Sequence, residues 1–134
     1  MPALLESGVT NMESWFSVDD TTQRLVRVLE QAGMTIFARI DQKAAAEAAG
    51  VVMRPMMLVL FGNPKMGTPL MQRYPTLAID LPLKALVWED ANGRVWLSAN
   101  SPEYLRERHS MTEAPFGGVS GLLKRALESN EPEK

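Results

Sequence analysis

Arg54-Pro55-Met56-Met57-Leu58-Val59-Leu60-Phe61-Gly62 is the stretch on which the fold turns. Its six consecutive apolar residues, Met56 to Phe61, offer no polar face to water. A run of that length and uniformity reads as a strand covered on both faces, which places it at the centre of a sheet. Downstream, Leu83 to Glu89 and Arg94 to Ala99 flank Asp90-Ala91-Asn92-Gly93. Asn-Gly supplies the positive φ values that a hairpin turn needs, so the two flanking runs pair antiparallel. A loop of two or four residues puts Leu86 and Trp88 on one face with Val95, Leu97 and Ala99, and leaves Ala85, Val87 and Trp96 on the other. Trp96 then needs a cover, and in so small a chain a second copy is expected to supply it, making a homodimer.

Upstream of the central run, Val9 to Ser17 ends in Trp15 and Phe16 and reads as a first strand, and Thr35 to Asp41 reads as a second. Between them Leu25, Val28, Leu29 and Ala32 recur at helical spacing, with Asp20 expected as N-cap and Gly33 closing the run. Ala44 to Ala49 is a short helix by propensity. Towards the C-terminus, Pro102 to Arg108 forms a helix capped by Ser101 or Asn100. The stripe Val119, Leu122, Leu123, Ala126 and Leu127 gives a last helix from about 118 to 128, before a polar tail from Asn130. The order β-α-β-(α)-β-(α)-β-β-α-α predicts an α+β protein, read as a single domain over residues 1–134.

With 134 residues, 46% hydrophobic and 22% charged, the chain can bury an ordinary globular core. Its formal net charge of −2 lacks the basic footprint of a nucleic-acid or anionic-membrane binder, so neither partner is expected. Absence of cysteine removes disulfides, thiol nucleophiles and Cys-ligated metal sites. No apolar run approaches a membrane span and Met1 to Gly8 does not resemble a leader, so a cytoplasmic location is expected.

The turn-rich loop Phe61-Gly62-Asn63-Pro64-Lys65-Met66-Gly67-Thr68-Pro69-Leu70 is the most unusual segment. Thr68 as N-cap and Pro69 at the first helical position would start a helix whose free N–H groups favour an anion, with Lys65 adding a full charge. Phosphate, carboxylate or a sulfur oxyanion is the ligand class this predicts; the alternative is a turn whose Gly, Pro and Asn serve backbone geometry. It is no Walker motif, because Gly67 is followed by Thr68 and Pro69. His109, the only histidine, suits a general base or a metal ligand, or else a cation at a helix C-terminus. With one histidine and no cysteine, no metal is expected. Carboxylates Asp41, Asp80 and Glu89 each fall near the end of a predicted element. Asp80, inside the apolar stretch Leu77 to Pro82, is expected to accept backbone hydrogen bonds or to meet Lys65. Methionines on or beside the central run, Met53, Met56 and Met57, read as adaptable core filler. No Gly-x-Ser-x-Gly elbow or Gly-x-Gly-x-x-Gly fingerprint occurs.

Phe37-Ala38-Arg39-Ile40-Asp41, Phe61-Gly62-Asn63-Pro64-Lys65, Gly67-Thr68-Pro69-Leu70-Met71, Asp80-Leu81-Pro82-Leu83-Lys84 and Arg108-His109 together resemble domain-of-unknown-function family 302, from about Thr21 to His109. That resemblance implies an antiparallel sheet of about five strands with helices packed on one face, of the TATA-box-binding-protein-like type. It brings no established activity and no catalytic residues. Its recurrent positions fall on Asp41, Asn63, Lys65, Gly67, Thr68, Asp80 and His109. Relatives often carry His after the aspartate of the Ile-Asp motif, where this chain has Gln42, so no metal or haem cofactor is expected.

Three functions follow. The first is a homodimeric small-ligand-binding or accessory module using the Asn63 to Thr68 loop with Asp80. The second is an enzyme acting on a small anionic substrate at that loop, with Asp80 or His109 moving a proton. The third is a protein-interaction module using the sheet face around Trp96. Ligand binding or catalysis predicts a pocket where Lys65, Asp80 and His109 converge.

Overall fold

The computed structural model describes residues 8–128, so the polar tail expected from Asn130 lies outside the described residues. Five strands form one antiparallel sheet: β1 (Val9–Ser14), β2 (Thr35–Asp41), β3 (Met56–Gly62), β4 (Leu83–Glu89) and β5 (Val95–Asn100). Their spatial order is β1-β5-β4-β3-β2. The apolar run thus lies inside the sheet as β3, with Val59 and Phe61 fully buried on its inner face. Leu58 and Leu60 point the other way and are only half-buried.

Between the two edge strands, α1 (Val18–Gln31) crosses the inner face. Leu25, Val28 and Leu29 pack there against Val59, Phe61, Ala85, Val87 and Leu97. The N-cap is Ser17, whose side chain accepts the Asp20 N–H, one turn earlier than the Asp20 cap expected from sequence. A buried pair explains the shift: β1 stops at Ser14 because its hydroxyl meets Thr21 Oγ1 at 2.7 Å and accepts the Phe16 N–H. Trp15 is therefore outside the strand and 78% exposed. Four further α-helices follow: α2 (Gln42–Ala48), α3 (Pro64–Arg73), α4 (Pro102–Arg108) and α5 (Val119–Ala126), with a 3-10 turn at Pro75–Ile79. Ser101 caps α4 by accepting the Tyr104 N–H. Leu123 and Ala126 of α5 join the main core beside α1, and the Arg24 Nε–H of α1 donates to Ala126 O.

The hairpin departs from the expected facing. The Asp90 N–H donates to Arg94 O, which closes a loop of odd length around Ala91-Asn92-Gly93, with Gly93 at φ 82°. An odd loop moves the register by one residue relative to a two- or four-residue loop, and one residue turns every side chain over. Trp88 accordingly faces Trp96 directly, and Val87 faces Leu97. Ala85, Val87, Val95 and Leu97 line the core, whereas Leu86, Trp88 and Trp96 share the outer face with Leu58 and Leu60. Both indoles find partners there. Trp88 Nε1–H donates to Ser98 Oγ and Trp96 Nε1–H to an Asp90 carboxylate oxygen, each at 2.9 Å. The Trp96 bond, with the backbone N–H groups of Arg94 and Asn92, holds Asp90 below the usual carboxylate range.

Candidate functional site

At the end of the sheet where β3 runs into α3, a cavity of about 320 Å³ opens. A β-bulge between Ile36 and Ala38 of β2 builds one wall. The extra residue, Phe37, is left half-exposed and re-aimed towards the cavity, as bulges characteristically do. Met34, Met66, Met71, Leu81, Phe116 and Val119 supply most of the remaining apolar surface. Gly67 keeps one side open: a Cβ there would come to 3.7 Å from Leu81 Cδ1, ordinary van der Waals contact.

The start of α3 differs from the sequence expectation in a way that decides its chemistry. Asn63 is the N-cap and Pro64 occupies the first helical position, so Thr68 and Pro69 lie inside the helix and not at its start. Pro64 has no N–H. The Lys65 N–H goes to Asn63 Oδ1 at 3.0 Å, and the Met66 and Gly67 N–H groups go to Asn63 O at 3.0 and 2.8 Å. All first-turn donors are thus consumed within the turn, and the anion cradle expected from Thr68 has no structural basis.

Asp80 meets His109 and Arg108, not Lys65. His109 Nε2 stands 2.5 Å from Asp80 Oδ2, and the Arg108 Nε–H donates to the same oxygen at 2.9 Å. On the other edge of the ring, Thr76 Oγ1 is 3.0 Å from His109 Nδ1. With a carboxylate on Nε2, that nitrogen carries a proton and donates it, while Nδ1 and the Thr76 hydroxyl share the second hydrogen bond of the ring. The His109 side chain, at the C-cap of α4, is only 3% exposed. This bridge fastens the segment after α4 to the Pro75–Ile79 turn. Glu113 makes a second tie. It accepts the Tyr74 hydroxyl at 2.6 Å and pairs with Arg73, and the tyrosine bond, followed by backbone and Thr112 contacts, holds it below the usual carboxylate range. Leu70, Leu77 and Met111 form a small buried core between the two ties. Both ties precede cavity walls, Leu81-Pro82-Leu83 after Asp80 and Pro115-Phe116 after Glu113.

Residues 10–130 match the family described as domain of unknown function DUF302. The chain belongs to this family. A crystal structure of an uncharacterized conserved DUF302 protein from Bacillus stearothermophilus superposes with a TM-score of 0.76 at 17% identity, covering 90% of this chain and 95% of that one, and so shares its fold. Fluoride-specific ion channel FluC 1 of Brucella suis biovar 1 (strain 1330) is 43% identical over 111 residues. FluC 2 of Brucella melitensis biotype 1 (strain ATCC 23456 / CCUG 17765 / NCTC 10094 / 16M) is equally similar. The match covers 83% of this chain but 44% and 41% of those proteins, so the chain spans less than half of the curated relatives' length. Among the described residues no helix is long and apolar enough to cross a membrane.

Within this DUF302 domain the seven residues singled out from sequence separate into four places. Asn63, Gly67 and Thr68 line the cavity. Asp80 and His109 form the buried bridge beside it. Lys65 is exposed on α3 outside the lining, and Asp41 is the N-cap of α2, accepting the Ala44 N–H at 2.9 Å. Lys65, Asp80 and His109 therefore do not converge on one pocket. Phe37, Phe116, Thr76 and Arg108 have no site role in the sequence reading; Arg108 stands in the Arg108-His109 motif, and nothing in the strand-like run from Thr35 marks Phe37 as the bulged residue.

Proposed function

We propose that this DUF302 domain is a cytoplasmic small-molecule-binding module, and that its ligand is an apolar compound held in the cavity between Phe37, Leu81 and Phe116. One observation carries the reading: a preformed concavity of about 320 Å³, at the lower end of small-molecule sites, has no charged side chain in its lining. The test is thermal unfolding against medium-chain alcohols, aldehydes, fatty acids, phenols and indole. A binder at ten times its dissociation constant adds about 1.4 kcal/mol of stability and raises the midpoint. Gly67→Leu fills the cavity from a helical position where leucine is preferred to glycine by about 0.8 kcal/mol. The variant is expected to keep its unliganded midpoint and lose every shift. No shift with any compound for the native chain would remove the reading.

The same module works as a homodimer in this reading, through the outer sheet face. Half-buried Leu58, Leu60, Leu86, Trp88 and Trp96 support this, since they sit together on the side of the sheet opposite the main core, and among the described residues none of them belongs to that core. The expected result is a dimer mass by sedimentation equilibrium, converted to monomer by Leu86→Glu. A monomeric native chain at micromolar concentration would count against it.

A second reading comes from the Brucella relatives, in which about the same 111 residues form under half of proteins named fluoride-specific ion channels. On that reading the domain is the accessory portion of such an assembly, with the cavity as its sensing element.

A further inference from the structure

Resting on the binding role proposed for the cavity, we infer that the ligand is an uncharged molecule with an apolar body and a single hydrogen-bond-accepting group, such as a carbonyl or hydroxyl, read by Asn63 and Thr68. Those two side chains are the polar ones in an otherwise apolar lining. Asn63 is the N-cap of α3 and Thr68 lies in its second turn.

What they offer follows from what they already bind. Asn63 Oδ1 is engaged by the Lys65 N–H, which fixes the amide orientation and leaves the NH2 group facing away from the helix. Among the described residues neither that NH2 nor the Thr68 hydroxyl has a protein partner. Two unused groups, one donor-only and one able to donate, match an acceptor oxygen. They do not match a full charge. A carboxylate or ammonium in this cavity would lose its hydration without meeting a countercharge, since Lys65 lies outside the lining and the first-turn N–H groups of α3 are spent on Asn63. A pure hydrocarbon would fit the walls but would offer no partner to the two polar groups, whereas a carbonyl or hydroxyl does.

The experiment measures dissociation constants of octane, 2-octanone, 1-octanol, octanoate and octylammonium at pH 7, by calorimetry or midpoint shift, for the native chain, Asn63→Asp and Thr68→Val. Asn63→Asp keeps a good N-cap and replaces the NH2 donor with a carboxylate oxygen. The native chain is expected to bind 2-octanone and 1-octanol at least tenfold more tightly than octanoate and octylammonium, and more tightly than octane. Asn63→Asp should reduce the preference for 2-octanone over octane about tenfold, and Thr68→Val should reduce it less. Equal affinity for neutral and charged members, or an unchanged 2-octanone preference in both variants, overturns the inference and leaves the cavity reading standing. Binding of none of the five compounds overturns the cavity reading, and this inference falls with it.

Discussion

Truncating Phe61 to alanine is expected to cost about 3–5 kcal/mol of folding stability, the range for removing a fully buried phenylalanine. Phe61 has no exposed surface and lies opposite Ile36 on β2 and Leu83 on β4, under the α1 stripe of Leu25, Val28 and Leu29. Close packing on every side leaves little room for collapse around the void, which sets the cost above that of simple transfer. Equilibrium urea unfolding reads the loss as a lower midpoint at unchanged slope. Phe37→Ala is the matched control. That ring is 50% exposed at the cavity mouth, so its removal should cost far less stability while weakening any cavity ligand. Similar losses in the two variants would mean that the core is not centred on β3.

The reason so much of the sheet was readable from sequence is the same burial. Met56 to Phe61 marks the interior of the sheet, where β3 has neighbours on both edges. Helices of the main core cover only its inner face, and Leu58 and Leu60 on the outer face are half-buried, so the cover expected on both faces is met on one. Asn92-Gly93 likewise marked the hairpin through a local requirement for positive φ. Facing was harder. Whether Trp88 or Val87 lies opposite Trp96 depends on one residue of loop length, set by the Asp90 to Arg94 closure, and neither propensity nor periodicity encodes that count. The candidate site was legible in identity but not in grouping. Thr68-Pro69 has the composition of a helix start, yet Asn63-Pro64 five residues earlier has it too, and the first cap the chain reaches won. Once α3 begins at Pro64, Lys65 rotates out of the cavity and Gly67 and Thr68 rotate in. The meeting of Asp80 with His109, 29 residues apart, rests on how the Pro75–Ile79 turn packs on α4, a tertiary fact beyond any local pattern.

The Asp80 contact gives the second large effect. Asp80→Ala is expected to cost about 2–3 kcal/mol, most of it from leaving the His109 Nε2–H without an acceptor in a buried setting. The two partners of Asp80 are unequal. The Arg108 side chain is 43% exposed and would return to water when released, so its share is the small one of a surface ion pair. The His109 ring is 3% exposed and has no such recourse. Arg108→Ala should therefore cost much less than Asp80→Ala, and Asp80→Asn, which keeps an acceptor oxygen of the same reach, should fall between them. A double-mutant cycle on Asp80 and His109 separates this coupling from lost packing, with an expected interaction of about 1–2 kcal/mol for hydrogen-bonded neighbours. The effect should extend to the cavity, because Asp80 holds the turn that delivers Leu81 and Pro82 to its wall. In a folded Asp80→Asn protein, the midpoint shift from a cavity ligand should shrink while the same shift in Arg108→Ala survives. If Arg108→Ala and Asp80→Ala are equally damaging, the arginine and not the buried imidazole is what Asp80 is there to hold, and the wall is fastened from the solvent side.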